Sequence, residues 1–322
     1  MTRRFRTTLT ERLGIEAPII LAPMGNASGG ALAAAVGRAG GLGLIGVGYN
    51  KEPWIEREFD AAGNTPVGIG FITWDLARAP ARLDVALARR PKAVMLSFGD
   101  ASPFAGRIKQ SGALLIMQVQ SLTGAKQAAA LGADVIVAQG IEAGGHGATP
   151  SDGRGLMPLV PAVVDAVRPI PVAAAGGIAD GRGLAAALVL GAGGALIGTR
   201  FYAAAECLGH ANAKRRLVEA SADETVRTRI FDIARSAEWP LEYTGRALVN
   251  DFARRWHGRE PELESAIEAE KPRYTAALAA GDTDTMVVWA GQGVDLIREV
   301  LPAEEIVSRL LAEADQALSG VT

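Results

Sequence analysis

The chain has 322 residues, of which 49% are hydrophobic and 5% aromatic, so a large core must be built mainly from Ala, Val, Leu and Ile. Its 33 basic and 35 acidic residues give a net charge of −2, which excludes the strongly basic composition typical of nucleic-acid or membrane-surface binding. The single cysteine, Cys207, excludes an internal disulfide and a cysteine-rich metal site.

The first residues, 2–6, are basic, but no apolar segment follows them, so no signal peptide is predicted. Apolar stretches elsewhere have the length of a strand or are broken by glycine, which argues against a transmembrane helix. Together with the lone cysteine, these features predict a soluble, cytoplasmic protein without a membrane, nucleic-acid or metal partner.

Eight short apolar runs alternate along the chain with stretches of helical spacing rich in Ala and Leu. Apolar runs without alternation are typical of strands buried on both faces of a parallel sheet. Eight strand–helix units within about 200 residues predict an α/β fold, a (β/α)8 TIM barrel. The runs are 19–22, 43–47, 67–71, 93–96, 114–119, 134–138, 171–174 and 195–198, and the helical stretches include 29–38, 76–89, 122–131 and 183–190.

The composition changes after Phe201. Residues 206–280 are charged, have helical spacing and lack strand-like runs, whereas 285–293 are again apolar and contain glycine. Residues 294–318 have the pattern of a final helix. We therefore predict an additional C-terminal helical region, which divides the chain into a barrel at 1–205, a helical insertion or lobe at 206–284, and a segment at 285–322 that returns to the barrel.

The loops after strands 7 and 8 have glycines and few large side chains. Active sites of TIM barrels lie at the carboxyl ends of the strands, and these last two loops commonly bind phosphate. Glycine allows backbone N–H groups to point at an anion. We therefore expect Gly176, Gly177, Gly198 and Thr199 to bind a phosphate, of substrate or cofactor, rather than only to form tight turns.

His146 lies on the glycine-rich loop 139–147 that follows strand 6. At the catalytic end of a barrel, a histidine can exchange protons near neutral pH. The alternative is a structural histidine that caps the loop, but its position favours a functional role. Glu142 is expected to orient the loop or to pair with a nearby donor, whereas His210 and His257 are predicted to lie on the surface.

The sequence Gln139-Gly-Ile-Glu-Ala-Gly-Gly-His146 resembles the signature of the nitronate monooxygenases, formerly called 2-nitropropane dioxygenases, which are FMN-dependent TIM-barrel flavoproteins. The resemblance extends over nearly the whole chain, through 22–24, 175–178, 197–200 and the C-terminal Val288-Trp-Ala-Gly-Gln-Gly293. FMN-dependent enoyl-acyl-carrier-protein reductases and NAD(P)H:quinone reductases are similar to it as well, so the motifs are more specific for the superfamily than for the reaction.

The resemblance implies FMN as the cofactor and places His146 over the flavin ring, facing the substrate. Two positions depart from the family: Gly70 stands where many relatives have Asn, and strand 5 offers Gln118 rather than a lysine, so a fixed positive charge beside the flavin is not implied. The implied cofactor-binding residues are Ala22, Pro23 and Met24 beneath the ring, Gln118 near its pyrimidine, Gly144 and Gly145 on the histidine loop, Gly176, Gly177, Gly198 and Thr199 at the phosphate, and Gln292 and Gly293 from the C-terminal segment.

The implied reaction is the FMN-dependent oxidation of alkyl nitronates, or of nitroalkanes, with molecular oxygen, giving a carbonyl compound and nitrite. His146 would bind the nitronate when protonated, or remove the α-proton of a nitroalkane when neutral. Three other hypotheses stay open: an NAD(P)H-dependent FMN reductase of quinones or enoyl thioesters, a flavin-free isomerase or lyase with a phosphate-bearing substrate, and a non-catalytic FMN-binding protein. The loop histidine argues against the last of these. The sequence lacks a separate Rossmann fingerprint for a nicotinamide cofactor.

Overall fold

The computed structural model describes residues 5–320, so most of the basic stretch 2–6 lies outside the described residues. Within them, the strands are β1 (Ile19–Leu21), β2 (Leu44–Gly46), β3 (Gly68–Ile72), β4 (Ala93–Ser97), β5 (Leu114–Val119), β6 (Val135–Gln139), β7 (Gly145–Ala148), β8 (Val172–Ala175), β9 (Gly194–Ile197), β10 (Thr225–Thr228) and β11 (Tyr243–Leu248). The helices are α1 (Thr8–Leu13), α2 (Gly30–Arg38), α3 (Glu52–Ala62), α4 (Thr73–Leu76), α5 (Ala81–Ala88), α6 (Ser102–Gln110), α7 (Leu122–Ala130), α8 (Leu156–Val167), α9 (Gly181–Val189), α10 (Thr199–Tyr202), α11 (Ala211–Val218), α12 (Ile230–Arg235), α13 (Asp251–Trp256), α14 (Glu260–Ser265), α15 (Ile267–Ala280) and α16 (Ala303–Ser319), with short 3-10 turns at Ala222–Glu224 and Val294–Leu296.

Eight parallel strands form one sheet in the order β1-β9-β8-β6-β5-β4-β3-β2. Its two edges meet where Ile20 pairs in parallel with Leu42, just before β2. The amide of Leu42 donates to the carbonyl of Ile19 at 3.0 Å, and the amide of Leu21 donates to the carbonyl of Leu42 at 2.9 Å. The sheet is therefore a closed TIM barrel, as predicted, and each of the eight predicted runs overlaps one of its strands, with ends that differ by at most one residue.

The barrel interior is a packed core that is closed at its amino end. Buried side chains from alternate strand positions, such as Ile20, Ile116 and Val137, fill the interior. Leu9 and Leu13 of α1 join the same cluster. Because α1 closes this end, an open site can form only at the carboxyl ends of the strands.

A second, three-stranded antiparallel sheet has the order β10-β11-β7. Two of its strands lie in 206–280, so the prediction that this region has no strands is wrong. These strands lack an apolar pattern because they carry polar residues, namely the buried Arg227 and Thr228 in β10 and the half-buried Arg246 in β11. The predicted histidine loop contains β7, in which His146 pairs with Gly245 of β11.

The C-terminal segment lies beside β11 before the chain ends in a helix. The amide of Leu248 donates to the carbonyl of Val288 at 2.9 Å, and Trp289 forms an antiparallel bridge with Ala247. Helix α16 then packs on α2 and α9. The division at 205 and 284 stays a prediction. In the part of the chain that the structure describes, no helix has both the length and the hydrophobicity needed to span a bilayer.

Candidate active site

A cavity of about 220 Å³ lies at the carboxyl ends of the barrel strands. Almost every residue that the sequence assigned to the site lines it. Gln292 is the exception: its side chain is exposed, and its backbone N–H donates to the carbonyl of Glu142 at 2.9 Å. The predicted residues that line the cavity are Ala22, Pro23, Met24, Gln118, Gly144, Gly145, His146, Gly176, Gly177, Gly198, Thr199 and Gly293.

One side of the cavity, here called the glycine rim, consists of Gly144, Gly176, Gly177, Gly291 and Gly293. A Cβ atom on Gly144 would lie 2.5 Å from the amide nitrogen of Gly291, and one on Gly293 would lie 2.5 Å from the carbonyl oxygen of Gly177. Gly176 and Gly177 have φ values of +117° and +68°, which L side chains disfavour. Backbone rather than side chains therefore forms this rim, as recognition of a phosphate by N–H groups requires.

Thr199 holds the C-terminal segment against the barrel. Its Oγ1 accepts a hydrogen bond of 3.0 Å from the amide of Gly291, which belongs to the glycine rim. The hydroxyl can still donate its own proton to a ligand. Thr199 thus lies where the sequence predicted, and it also links the end of β9 to the rim.

The structure explains the departure at Gly70. A Cβ atom there would lie 2.3 Å from Cβ and Cγ of Pro23, which lines the cavity. An asparagine at this position would require Pro23 to move, so glycine and proline are sterically coupled here. The other departure, Gln118, lies on β5 with its side chain lining the cavity, where its amide can both donate and accept hydrogen bonds.

His146 is held by a buried carboxylate that the sequence did not reveal. The Nε2 atom lies 3.0 and 2.9 Å from the two carboxylate oxygens of Asp232 on α12. Because a carboxylate only accepts, Nε2 of a neutral His146 must carry the proton. Arg235, one turn further along α12, donates to Oδ1 of Asp232 at 2.7 Å. Within residues 5–320, Nδ1 of His146 forms no hydrogen bond, so it is the basic nitrogen of this ring.

Burial and charge act in opposite directions on this pair. Burial lowers the pKa of His146 below its usual 6.5, and the attraction of Asp232 only partly offsets this. Burial would raise the pKa of Asp232, but His146 and Arg235 outweigh it, so the pKa of the carboxyl is lowered. At neutral pH the arrangement is therefore a neutral imidazole, a carboxylate and a guanidinium, which is the charge state of a general base awaiting a proton.

Hydrogen bonds from two side chains, Gln139 and Arg227, fix the strand that presents His146. Gln139, at the end of β6, donates from Nε2 to the carbonyl of His146 at 2.9 Å. Arg227, which is only 8% exposed, donates to the carbonyls of Thr244 at 2.6 Å and Ala143 at 2.9 Å. Buried hydrogen bonds of this kind position β7 rigidly against the barrel.

Aromatic side chains line the cavity beside His146; we call Tyr49, Phe98, Trp239 and Trp289 the aromatic wall. The rings of Trp239 and His146 are stacked with centroids 3.5 Å apart and an interplanar angle of 6°. Trp289 lies 5.0 Å from the imidazole, and all four residues line the cavity. Of these residues, only Trp289 was part of a motif that the sequence singled out, 288–293.

The remaining sequence expectations concern side chains near or outside the cavity. Oε1 of Glu142 accepts a hydrogen bond of 2.8 Å from the amide of Leu156, so Glu142 pairs with a nearby donor. His210 and His257 are exposed, as predicted. Asp232 and Arg235 carried no signal beyond their helical spacing of three residues, because their contact with His146 joins distant parts of the chain.

Known proteins resemble this chain over its whole length. A family model described as nitronate monooxygenase matches residues 70–313. A nitronate monooxygenase of Pseudomonas aeruginosa is 35% identical, covering 97% of this chain and 99% of that protein. Among solved structures, FabK from Thermotoga maritima has a TM-score of 0.85 at 32% identity, covering 98% of each chain. A nitroalkane oxidase from Streptomyces ansochromogenes has a TM-score of 0.83 at 31% identity, covering 98% of this chain and 100% of that one.

The fold, the residues that line the cavity and the similarities to known proteins all indicate the same family. The family match at 70–313 includes His146, Asp232 and Trp239, and the relative from Pseudomonas aeruginosa, at 35% identity, covers 97% of this chain. This chain belongs to the nitronate monooxygenase family and is an oxidoreductase.

Proposed function

We propose that this protein oxidises alkyl nitronates, and the nitroalkanes from which they form, with FMN and molecular oxygen, giving a carbonyl compound and nitrite. The observation that carries the proposal is His146, a neutral base oriented by Asp232 inside a cavity that also has the glycine rim. The family and the likeness to a nitroalkane oxidase support the nitro-compound substrate.

The residues of the cavity fit FMN in three respects. The glycine rim presents backbone to the cavity, and the N–H groups of Gly176 and Gly177, which have positive φ values, are the ones that we propose bind a phosphate. Ala22, Pro23 and Met24 provide a mainly apolar surface for a ring system. Gln118 supplies an amide, rather than a fixed positive charge, for a polar ring edge. When bound, FMN supplies the electron acceptor that the side chains lack.

His146 can serve both roles that the sequence left open, one after the other. In the neutral ring, the lone pair on Nδ1 can accept the α-proton of a nitroalkane. The imidazolium that forms is stabilised by Asp232, 2.9 Å from Nε2. Once protonated, the same ring is a cation beside the newly formed nitronate. A substrate that arrives as the nitronate skips the proton transfer and needs His146 only for orientation.

Oxygen consumption and nitrite release by the FMN-loaded protein test this proposal. We expect oxygen consumption and nitrite release to increase in proportion to each other, both with nitroethane and with its preformed nitronate. Apoprotein without flavin is the matched control, and it should release no nitrite. Absence of nitrite from both substrates, in protein shown to contain FMN, would refute the proposal.

The likeness to FabK favours a second candidate, an NAD(P)H-dependent FMN reductase of quinones or enoyl thioesters. FabK and the nitroalkane oxidase superimpose on this chain almost equally well, so the scaffold does not separate the two activities. The feature that favours nitro compounds is the buried His146–Asp232 pair, because reduction by hydride transfer does not begin with removal of a carbon-bound proton. Oxidation of NADH or NADPH in the presence of a quinone would favour the second candidate.

A further inference from the structure

Trp239 occupies the space against one face of the imidazole ring. Its indole and the ring of His146 are parallel within 6°, with centroids 3.5 Å apart, which is van der Waals contact. No substrate atom fits between them. The lone pair of Nδ1 lies in the plane of the imidazole, so a substrate must approach it along the ring edge, beside the indole, from the open part of the cavity.

Contacts on several sides hold the indole in this place. Trp74 and Phe98 pack against it edge-to-face, with centroids 5.4 and 5.2 Å away. Nε1 donates a hydrogen bond to the hydroxyl of Tyr49, so the polar atom of the buried ring is satisfied. Trp239 is only 4% exposed. A side chain packed in this way is a fixed boundary of the cavity.

The backbone of the same segment is tied to the residue that orients His146. The amide of Ala237 donates to the carbonyl of Asp232 at 2.9 Å, and the amide of Trp239 donates to the carbonyl of Ala237 at 2.9 Å. Pro240 follows directly and restricts the backbone of Trp239 to extended conformations. The positions of base and indole are thus fixed together.

We infer that Trp239 determines substrate size, admitting nitronates with short, unbranched carbon chains and excluding those with an aryl or branched substituent. The inference rests on the proposed function for the identity of the reacting group. It adds a limit on the carbon skeleton, because the indole takes up the volume beside His146 into which a bulky substituent on the reacting carbon would extend.

The test replaces Trp239 by alanine and, as a milder change, by leucine. The matched control is Trp256→Phe, since Trp256 packs in a different cluster, with Phe252 and Leu263. The kcat/KM values of ethylnitronate and of the nitronate of phenylnitromethane are measured for each FMN-loaded variant. We expect the kcat/KM value of the aryl nitronate, divided by that of ethylnitronate, to rise by roughly tenfold or more in Trp239→Ala, as for a pocket enlarged by several carbon atoms. The same ratio should stay constant in Trp256→Phe.

A binding measurement separates this inference from the proposed function. Propionate and phenylacetate have the shapes of the two nitronates but do not react, and calorimetry gives their affinities for each variant. A rise of roughly tenfold in the preference for phenylacetate in Trp239→Ala supports the size limit even if no nitronate is oxidised. The inference is overturned if wild-type protein already accepts both sizes equally, or if both alanine and leucine variants fold and leave the ratios unchanged.

Discussion

Oδ2 of Asp232 lies 2.9 Å from Nε2 of His146, although the two residues are 86 positions apart in the chain. The contact joins β7, which follows the sixth barrel strand, to α12 of the region after the barrel. It converts a histidine at the mouth of a TIM barrel into a base with a defined tautomer. The region at 206–284 therefore completes the site rather than only decorating the barrel.

Asp232→Asn tests whether the carboxylate supports proton removal. Without its charge, the imidazolium that forms on His146 loses its main stabilising partner, so kcat/KM for nitroethane should fall by roughly a hundredfold. The value for ethylnitronate, which needs no deprotonation, should change much less. Asp251→Asn is the control, because that carboxylate is exposed and its ion pair is with the exposed Arg254, away from the cavity. An equal loss for both substrates would contradict a role in proton transfer.

The pH dependence of nitroethane turnover follows from the lowered pKa of His146. Burial keeps the ring neutral below its usual pKa of 6.5, so the base remains available at mildly acidic pH. We expect kcat/KM for nitroethane to decline with falling pH only below 6.5. Because Asp232 raises the pKa of His146, Asp232→Asn should move the decline to still lower pH. A midpoint above that of an ordinary histidine would contradict this account.

His146→Gln should separate catalysis from cofactor binding. The FMN contacts that we propose come from the glycine rim and the strand ends, so the variant should retain its flavin. Turnover of nitroethane should fall by two orders of magnitude or more, about the contribution of a general base. His257→Gln is a matched control at an exposed position. Unchanged turnover of both nitroethane and ethylnitronate would remove His146 from the mechanism.

Gly70→Ala tests the steric coupling to Pro23. The added Cβ atom would lie 2.3 Å from the proline ring, an overpacking that should lower the free energy of unfolding by about 1–3 kcal/mol. Gly106→Ala on α6 is the matched control, since nothing lies within 4 Å of its added Cβ and helix propensity favours alanine. Urea unfolding of both variants provides the measurement. Equal stabilities of the two variants would show that Pro23 can move at no cost.

The barrel could be predicted from the sequence because its strands are buried on both faces. Runs such as 114–119 are continuously apolar, and glycines at their ends indicate the turns that bind ligands. Because active sites of TIM barrels lie at the carboxyl ends of the strands, the predicted strands also placed Ala22, Pro23, Met24 and His146 at the cavity. The strands β7, β10 and β11 were missed because they are rich in Gly, Thr and Arg rather than continuously apolar, and β11 pairs with β7 across about a hundred residues of chain.

The missing part of the site has the same physical origin. Asp232, Arg235 and Trp239 lie in a charged stretch whose pattern is that of a solvated helix, and only folding brings them to His146. They pack against the second sheet and the C-terminal segment, as in the contacts of Trp239 with Tyr243 and of Arg235 with Trp289, and no local pattern predicts these pairings. Gln292 shows the reverse error: it belongs to a motif that reaches the cavity, but its side chain is exposed.

In the reaction that we propose, a nitronate, rather than a nicotinamide, reduces the bound FMN. The most direct test mixes the FMN-loaded protein anaerobically with ethylnitronate, NADH or NADPH and follows the visible absorbance of the oxidised flavin. We expect this absorbance to fall rapidly with ethylnitronate and to stay unchanged on the same timescale with NADH or NADPH. Rapid bleaching by NADH or NADPH, with no change on addition of ethylnitronate, would contradict it.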